Sequence, residues 1–415
     1  MLSHKQLKSL GQKFGSPFYI LDEVAFKKNY DDIVKAFSDR YDKFVLAYSY
    51  KTNYIPYLCR LIRSKGGFAE VVSRLEYNLA LKVGQKLDKI VFNGPVKSCE
   101  DIELALSNRS IVNLDSWYEI DHVEKYAARH PKKDIKVGLR INIRLSDEGG
   151  QSHIQEHLEV GRFGFDPSDS NISSVISRLA SIGNVKINSL HGHTTTIDRS
   201  VWCYRVITEA LCRIAERFVP ETVEYIDIGG GIFGYISPQM RGMKVPSFDD
   251  YAKAICGVLK NNKWVQQKKP YLMLEPGFAM AANALSFVTK VVGIKNIRNK
   301  LFVTVDGSVY NVKPTCREKN HPYRIIKKNN DKHRDIFNVV GSTCMEKDYL
   351  LTEIKDEMPE VGDFIKINNV GAYTVVLTPP FINVTPPILV ATTTGYKAIK
   401  SRQTFEDIFR NYSFT

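Results

Sequence analysis

The chain has 415 residues, 43% hydrophobic and 25% charged, which is ample material for a core and unlike a disordered or fibrous composition. Its net charge of +13 is scattered, with small clusters at Lys132-Lys133 and Lys327-Lys328; this argues against nucleic-acid binding and leaves a basic surface suited to anionic substrates or cofactors. No apolar run approaches the roughly 18 residues of a membrane span, and seven cysteines without Cys-x-x-Cys spacing fit reduced thiols better than a disulfide framework or a structural zinc site.

The first 15 residues are polar and lack a signal-peptide core, so a cytoplasmic location is expected. A strand is expected at 17–21. Eight strand-like runs then recur with room for a helix between them: 44–50, 67–73, 90–94, 110–115, 137–143, 187–193, 225–229 and 272–275. Among the connecting stretches, Ser73-Arg74-Leu75-Glu76 has the pattern of a capping box, and 201–218 and 248–259 carry helical apolar spacing. Eight such alternations predict an α/β fold, a closed (β/α)8 barrel of the TIM type, over 25–280. Beyond it the pattern changes to strands joined by turns at 286–294, 301–305, 336–340 and 364–367. Residues 281–415 are therefore expected to form a mostly β domain, a sandwich or barrel, to which 1–24 add the early strand. The stretch 397–415 reads as a short helix and tail.

Polar residues with chemical potential fall at the strand ends. Lys51 closes an apolar, aromatic run; a lysine there loses hydration, which lowers its pKa and suits an amine that holds an aldehyde as a Schiff base. Ser73, Asn93, Arg140, His193, the triplet Gly229-Gly230-Gly231 and Glu275 also lie at or just past strand ends. In a barrel these ends converge on the face where active sites form. Three glycines after a strand let backbone N–H groups close on an anion, or serve as a flexible turn. Glu275, in Glu275-Pro276-Gly277, could pair with a protonated ring nitrogen, the partner a pyridine cofactor needs to act as an electron sink. His193 could stack on a flat ring, and the threonines up to Thr196 could reach a phosphate. The His191-Gly192-His193 spacing would need a third ligand to hold a metal, and no metal is expected. Cys344 lies in a turn of small and polar residues, as a proton donor or a small filler.

In combination these motifs resemble the barrel-type (fold type III) pyridoxal-phosphate-dependent decarboxylases of basic amino acids, the diaminopimelate, ornithine and arginine decarboxylase group. They are Tyr50-Lys51-Thr52-Asn53, Ser73-Arg74-Leu75-Glu76, His191-Gly192-His193, Gly229-Gly230-Gly231, Glu275-Pro276-Gly277 and Gly371-Ala372-Tyr373, in the family's order. The resemblance implies pyridoxal phosphate bound by Lys51 as the Schiff-base lysine, with His193 stacked on its ring and Glu275 on its nitrogen. Gly229, Gly230, Gly231, Thr196 and Tyr373 would hold the phosphate, Gly277 would also bind the cofactor, Arg140 would approach the ring, and Glu70 stands where the family usually has aspartate. Cys344 would supply a proton after loss of carbon dioxide. In the family it comes from the neighbouring subunit, which implies a head-to-tail homodimer.

Three departures from the family bear on the substrate. Phe278 replaces the arginine that normally follows the glutamate–proline–glycine motif; in the family that arginine helps hold an anion and forms part of the phosphate site as well as of the site for the substrate's distal end. Downstream of Asp306, Lys313-Pro314 replaces an arginine–proline pair, and Met345 replaces the acidic neighbour of the cysteine, with Glu346 one step on. Asp306, Lys313, Met345 and Glu346 are the expected substrate-binding residues. Losing two guanidinium forks removes bidentate carboxylate recognition, so a modified or conjugated amino acid is expected in place of ordinary diaminopimelate. The alternatives are an amino acid racemase on the same cofactor and a non-catalytic homologue.

Overall fold

The computed structural model describes residues 2–146, 151–154, 160–196, 198–235, 245–315, 319–329 and 332–414. They divide into two compact units: 29–234 with 245–279, and 1–28 with 235 and 280–415. No described helix is long and apolar enough to cross a membrane. Cys316 lies outside the described residues, and the other six cysteines are free thiols.

In the second unit a helix, His4–Phe14, precedes β1 (Phe18–Leu21). In the first unit, β2 (Phe44–Ser49), β3 (Phe68–Val71), β4 (Ile90–Phe92), β5 (Ile111–Leu114), β6 (Ile135–Arg140), β7 (Val185–His191), β8 (Tyr225–Asp227) and β9 (Tyr271–Leu274) pair in parallel and close when β9 meets β2. All eight expected strands are present, each one to three residues shorter or shifted at its ends. The closed barrel forms because these strands are apolar on both faces. One face meets the helices outside and the other fills the interior.

Inside, Ala47, Val91, Ile111 and Met273 make a dry layer, with Val45, Phe68 and Tyr225 packed against it. Side chains two residues further along a strand share its face. That step leads from Ala47 to Ser49, Val91 to Asn93, Ile111 to Asn113 and Met273 to Glu275. The interior thus changes from apolar to polar in one layer, toward the C-terminal ends of the strands.

In the second unit a nine-stranded sheet runs in the order β14 (Tyr349–Glu357), β13 (Arg334–Val340), β11 (Lys300–Val305), β10 (Leu285–Ile297), β1, β16 (Ile388–Thr392) and β17 (Gly395–Lys400). Off this path, β15 (Phe364–Ile367) pairs with β10 and with β12 (Tyr323–Ile326). β1 lies antiparallel to β10 and parallel to β16, so the N-terminal strand is central. Leu7, Phe18, Ile20, Val288, Phe364 and Leu389 form a core on one side of it. The stretch expected as helix and tail instead begins with β17; a short helix, Phe405–Phe409, follows.

Candidate active site

Lys51 sits on a single 3-10 turn, Tyr50–Thr52, directly after β2. Buried Tyr48 donates its hydroxyl to Asn53 O at 2.7 Å, and Tyr50 is fully buried, so the turn is pinned from below. A Cβ on Gly277 would come within 1.9 Å of Thr52 Oγ1, so the glycine lets the β9 exit pack against the turn. The expectation of a dehydrated amine is not met. The Lys51 side chain is 34% exposed, and its Nζ pairs at 2.5 Å with a Glu70 carboxylate that has no exposure.

From that ion pair a line of side chains crosses the barrel mouth. Asn93 Nδ2 donates to Glu70 Oε1 at 3.2 Å and to Glu275 Oε1 at 2.6 Å, while its Oδ1 accepts from Asn113 Nδ2 at 2.8 Å. Glu275 is 3% exposed, and its other oxygen lies 3.4 Å from His191 Nε2. Burial alone would raise the Glu275 carboxyl. The His191 ring, the Lys51 charge and a bond with Asp227 more than offset this and hold it well below the carboxylate range. Asp227 moves the other way, pushed well up by its burial and by the Glu275 charge. Of these two adjacent carboxyls, then, Asp227 keeps the proton and Glu275 the charge.

His193 lies two residues past β7. Burial, reinforced by the Arg140 and Lys51 charges, pushes its pKa down to about 3, so the ring is neutral. Its Nδ1 accepts from Gly230 N at 3.2 Å, which places the ring proton on Nε2. Arg140, at the end of β6, donates from one terminal nitrogen to Asp115 Oδ1 at 3.3 Å and from the other to His193 O at 3.1 Å. Asp115 is braced in turn: its N–H donates to Glu119 Oε2 at 2.6 Å, and Glu119 Oε1 pairs with Lys97 at 2.9 Å, both side chains fully buried.

Gly229 and Gly231 adopt φ of +68° and +93°, conformations that favour glycine. A Cβ on Gly230 would lie 2.0 Å from Glu275 O, so only glycine fits there. Thr196 is buried, and its Oγ1 accepts from Arg199 N at 3.0 Å. Lys51, Glu70, Arg140, His193, Thr196, the glycine triplet, Glu275 and Gly277 therefore all belong to the barrel unit and lie at or just past its strand ends.

The remaining sequence-derived candidates lie in the β unit. Cys344 is exposed in the turn after β13. The same turn is organised by buried Asp348, whose carboxylate accepts from Val309 N at 2.6 Å and from Thr343 Oγ1 at 2.6 Å. Met345 Sδ accepts from Tyr310 Oη at 2.8 Å, Glu346 is exposed, and Lys313 is only 5% exposed. Asp306 Oδ1 accepts from Thr289 Oγ1 and Lys290 N at 2.7 and 2.8 Å, so that oxygen is engaged within its own sheet. Tyr373 adopts φ of +58° and is 41% exposed.

The sequence alone assigned no role to Asn113, Asp115 and Asp227 and weighed His191 only as a metal ligand and as part of a family motif. Two of the first three carried a signal: Asn113 lies two residues past an inward apolar position, and Asp115 follows directly on β5. The cap at Ser73 also differs in detail from the expected capping box. Ser73 Oγ accepts from Glu76 N at 3.3 Å, but the Glu76 carboxylate reaches past Ser73 to Val72 N at 2.8 Å.

The donor set fits pyridoxal phosphate. It offers an amine, an ionised glutamate with a protonated neighbour, a neutral imidazole and a glycine cradle that any Cβ would fill. Arg140 Nε and Asp227 Oδ2, both buried, make no hydrogen bond among the described residues. Residues 27–282 match the family described as pyridoxal-dependent decarboxylase, pyridoxal binding domain. The chain is 27% identical over 410 residues to the diaminopimelate decarboxylase of Methanocaldococcus jannaschii, covering 96% of this chain and 91% of that one. It is 26% identical over 371 residues to the Aquifex aeolicus diaminopimelate decarboxylase, covering 88% and 84%. The crystal structure of the M. jannaschii enzyme in co-complex with L-lysine superposes with a TM-score of 0.86, at 25% identity, covering 98% and 94%. With the family match spanning more than half the chain and the barrel mouth carrying the matching donors, this protein belongs to the pyridoxal-dependent decarboxylases and is a carboxy-lyase that uses pyridoxal phosphate.

Proposed function

We propose that the barrel mouth binds pyridoxal phosphate through Lys51 and decarboxylates an amino acid whose distal end differs from that of diaminopimelate. The observation that carries the cofactor assignment is the line Lys51–Glu70–Asn93–Glu275, which places an amine and an ionised carboxylate at opposite ends of one hydrogen-bonded row. When bound, the cofactor supplies an electron sink for the carbon that loses carbon dioxide. Lys51 Nζ would hold the aldehyde carbon and Glu70 would keep that nitrogen oriented. Glu275 would keep a proton on the ring nitrogen, with Asn93 fixing one of its oxygens, His191 facing the other and the Asp227 carboxyl alongside. The neutral His193 ring would lie against the ring face, and Arg140 would approach its edge. Gly229, Gly230, Gly231, Gly277, Thr196 and Tyr373 would surround the phosphate.

Cys344 Sγ would return a proton to the carbon that lost the carboxylate. Its exposure in the turn after β13 suits a thiol offered to another subunit, and we assign a head-to-tail homodimer on that basis. The free thiols of the six described cysteines accord with a cytoplasmic enzyme.

The similar proteins are named diaminopimelate decarboxylases, and one similar structure holds L-lysine. At the substrate's distal end this chain instead has Lys313 as a point charge with little exposure and Met345 as a thioether engaged by Tyr310. A modified or conjugated amino acid fits that set better than a free distal carboxylate and amine. A panel of amino acids assayed for carbon dioxide release tests this, with turnover expected for a conjugated substrate; robust turnover of diaminopimelate would sink the substrate reading. The cofactor reading has its own test. The purified holoenzyme should show a visible absorbance band that borohydride abolishes and Lys51→Ala lacks.

A further inference from the structure

We propose that Arg199 is the cation that holds the cofactor's phosphate in this chain, standing in across space for the arginine that Phe278 replaces. The inference rests on the glycine cradle being the phosphate end of the site. Phe278 directly follows Gly277, and the Arg199 guanidinium lies over its ring, 4.6 Å from the centroid. The same guanidinium lies 5.0 Å from the ring centroid of Phe233, two residues past the glycine triplet. Two aromatic faces thus flank the guanidinium, whose planar, delocalised fork matches phosphate geometry. The position where the family carries a guanidinium therefore supplies a platform for one arriving from another strand end.

The surroundings place this charge beside the cradle. Tyr204 donates its hydroxyl to Gly230 O at 3.1 Å, and a Cβ on Gly231 would meet that same hydroxyl at 3.1 Å. Burial raises the Tyr204 phenol well above its usual range, and Tyr251 adds to this. The Arg199 charge pulls the other way, so it is felt at the glycine loop. The backbone of Arg199 is held in place: its N–H donates to Thr196 Oγ1 at 3.0 Å, its carbonyl accepts from Tyr251 Oη at 2.7 Å, and Tyr251 Oη accepts from Phe233 N at 3.4 Å. Arg199 adopts φ of +49°, a strained conformation for a residue with a side chain and one that clusters at ligand sites. The neighbouring Asp198 carboxylate faces His153 Nδ1 at 3.4 Å. Arg199 also directly precedes Ser200, the N-cap of the 18-residue helix Val201–Phe218, whose positive end adds to the field.

The test compares pyridoxal phosphate with pyridoxal, which lacks the phosphate, by titrating each into apoprotein and reading the absorbance of the bound chromophore. In the Arg199→Met variant the preference for pyridoxal phosphate should fall at least about tenfold, in line with loss of charge-assisted hydrogen bonds. Affinity for pyridoxal should stay within about twofold of the parent. Arg199→Gln offers the same comparison should the methionine variant not fold. Adding Phe278→Arg to Arg199→Met should restore the preference. An unchanged preference in both Arg199 variants overturns the inference and leaves the cradle assignment standing. Equal affinity of the parent protein for the two compounds overturns the cradle assignment and the inference with it.

Discussion

The two units handle polar residues differently. In the barrel, charged and amide side chains from separate strands point into one layer and bond to one another: Lys51 to Glu70, Glu70 and Glu275 to Asn93, Asn93 to Asn113, Arg140 to Asp115. In the β unit, Cys344 and Glu346 are exposed on a turn, while Asp306 and Met345 are engaged by immediate structural neighbours. A set of groups that must meet a rigid ring at several points is built on strands, where sheet pairing fixes spacing. Groups that meet substrates of varied shape are carried on turns, where a change disturbs little else.

Substitutions in the two units should therefore fail in different ways. The largest effect is expected for Lys51→Ala, which should lower kcat by at least about a thousandfold and abolish the absorbance band. Cys344→Ala should cost about a hundredfold in kcat and leave the band intact, since only proton return is affected. Loss of the band in the cysteine variant would break the division of labour. Mixing the two inactive variants sharpens it: if each active site draws on both subunits of a two-fold dimer, random exchange should restore about a quarter of wild-type activity. Absence of any recovery under conditions where subunits exchange would rule out the shared site.

The smallest effect concerns stability. Burial, with the Glu70 charge adding to it and the Val72 N–H opposing it, raises the Glu76 carboxyl from its ordinary 4.5 to about 7. Between those values the folded chain keeps a proton that the unfolded chain has released. This contribution is thus full below about pH 4.5 and is lost as pH rises through 7. Urea unfolding of apoprotein should show a decline of roughly 2–3 kcal/mol from this group over that range. Glu76→Gln should flatten it, whereas substituting the exposed Glu346 should not.

Much of the barrel was legible because its signal repeats. An apolar run followed by a polar residue at the strand exit occurs again and again, and Lys51, Asn93, Arg140, His193 and Glu275 each stand at such an exit. Asp227 was not legible. A single acid in Tyr225-Ile226-Asp227-Ile228 looks like noise until pairing with β9 sets it beside Glu275. The placement of Arg199 was hidden for a related reason, since it lies against Phe233 and Phe278, which are distant in sequence. In the β unit, Phe18–Leu21 and β10 stood out as continuous apolar runs, but β12, β14, β16 and β17 did not. In β12, β14 and β17 the mixed, partly exposed patterns resemble loops when the partner strand is unknown, and the short apolar run of β16 follows directly on Pro386-Pro387. The low exposure of Lys313 reflects tertiary packing and has no counterpart in its own sequence context.

The contact between Gly230 and the Glu275 carbonyl makes the barrel mouth a gauge of length. Glu275 N donates to Gly229 O at 2.8 Å, and the missing Cβ of Gly230 lets the two strand exits close fully. The separation of the glycine triplet from the backbone of residue 275 is thereby set by main chain, which adjusts less than a side chain does. A pyridine ligand whose anionic arm is one carbon longer should be refused even though every charge it carries is matched. Any side chain at position 230 would reset the gauge, so on the proposed assignment selectivity for one size of cofactor would depend on an atom that is absent.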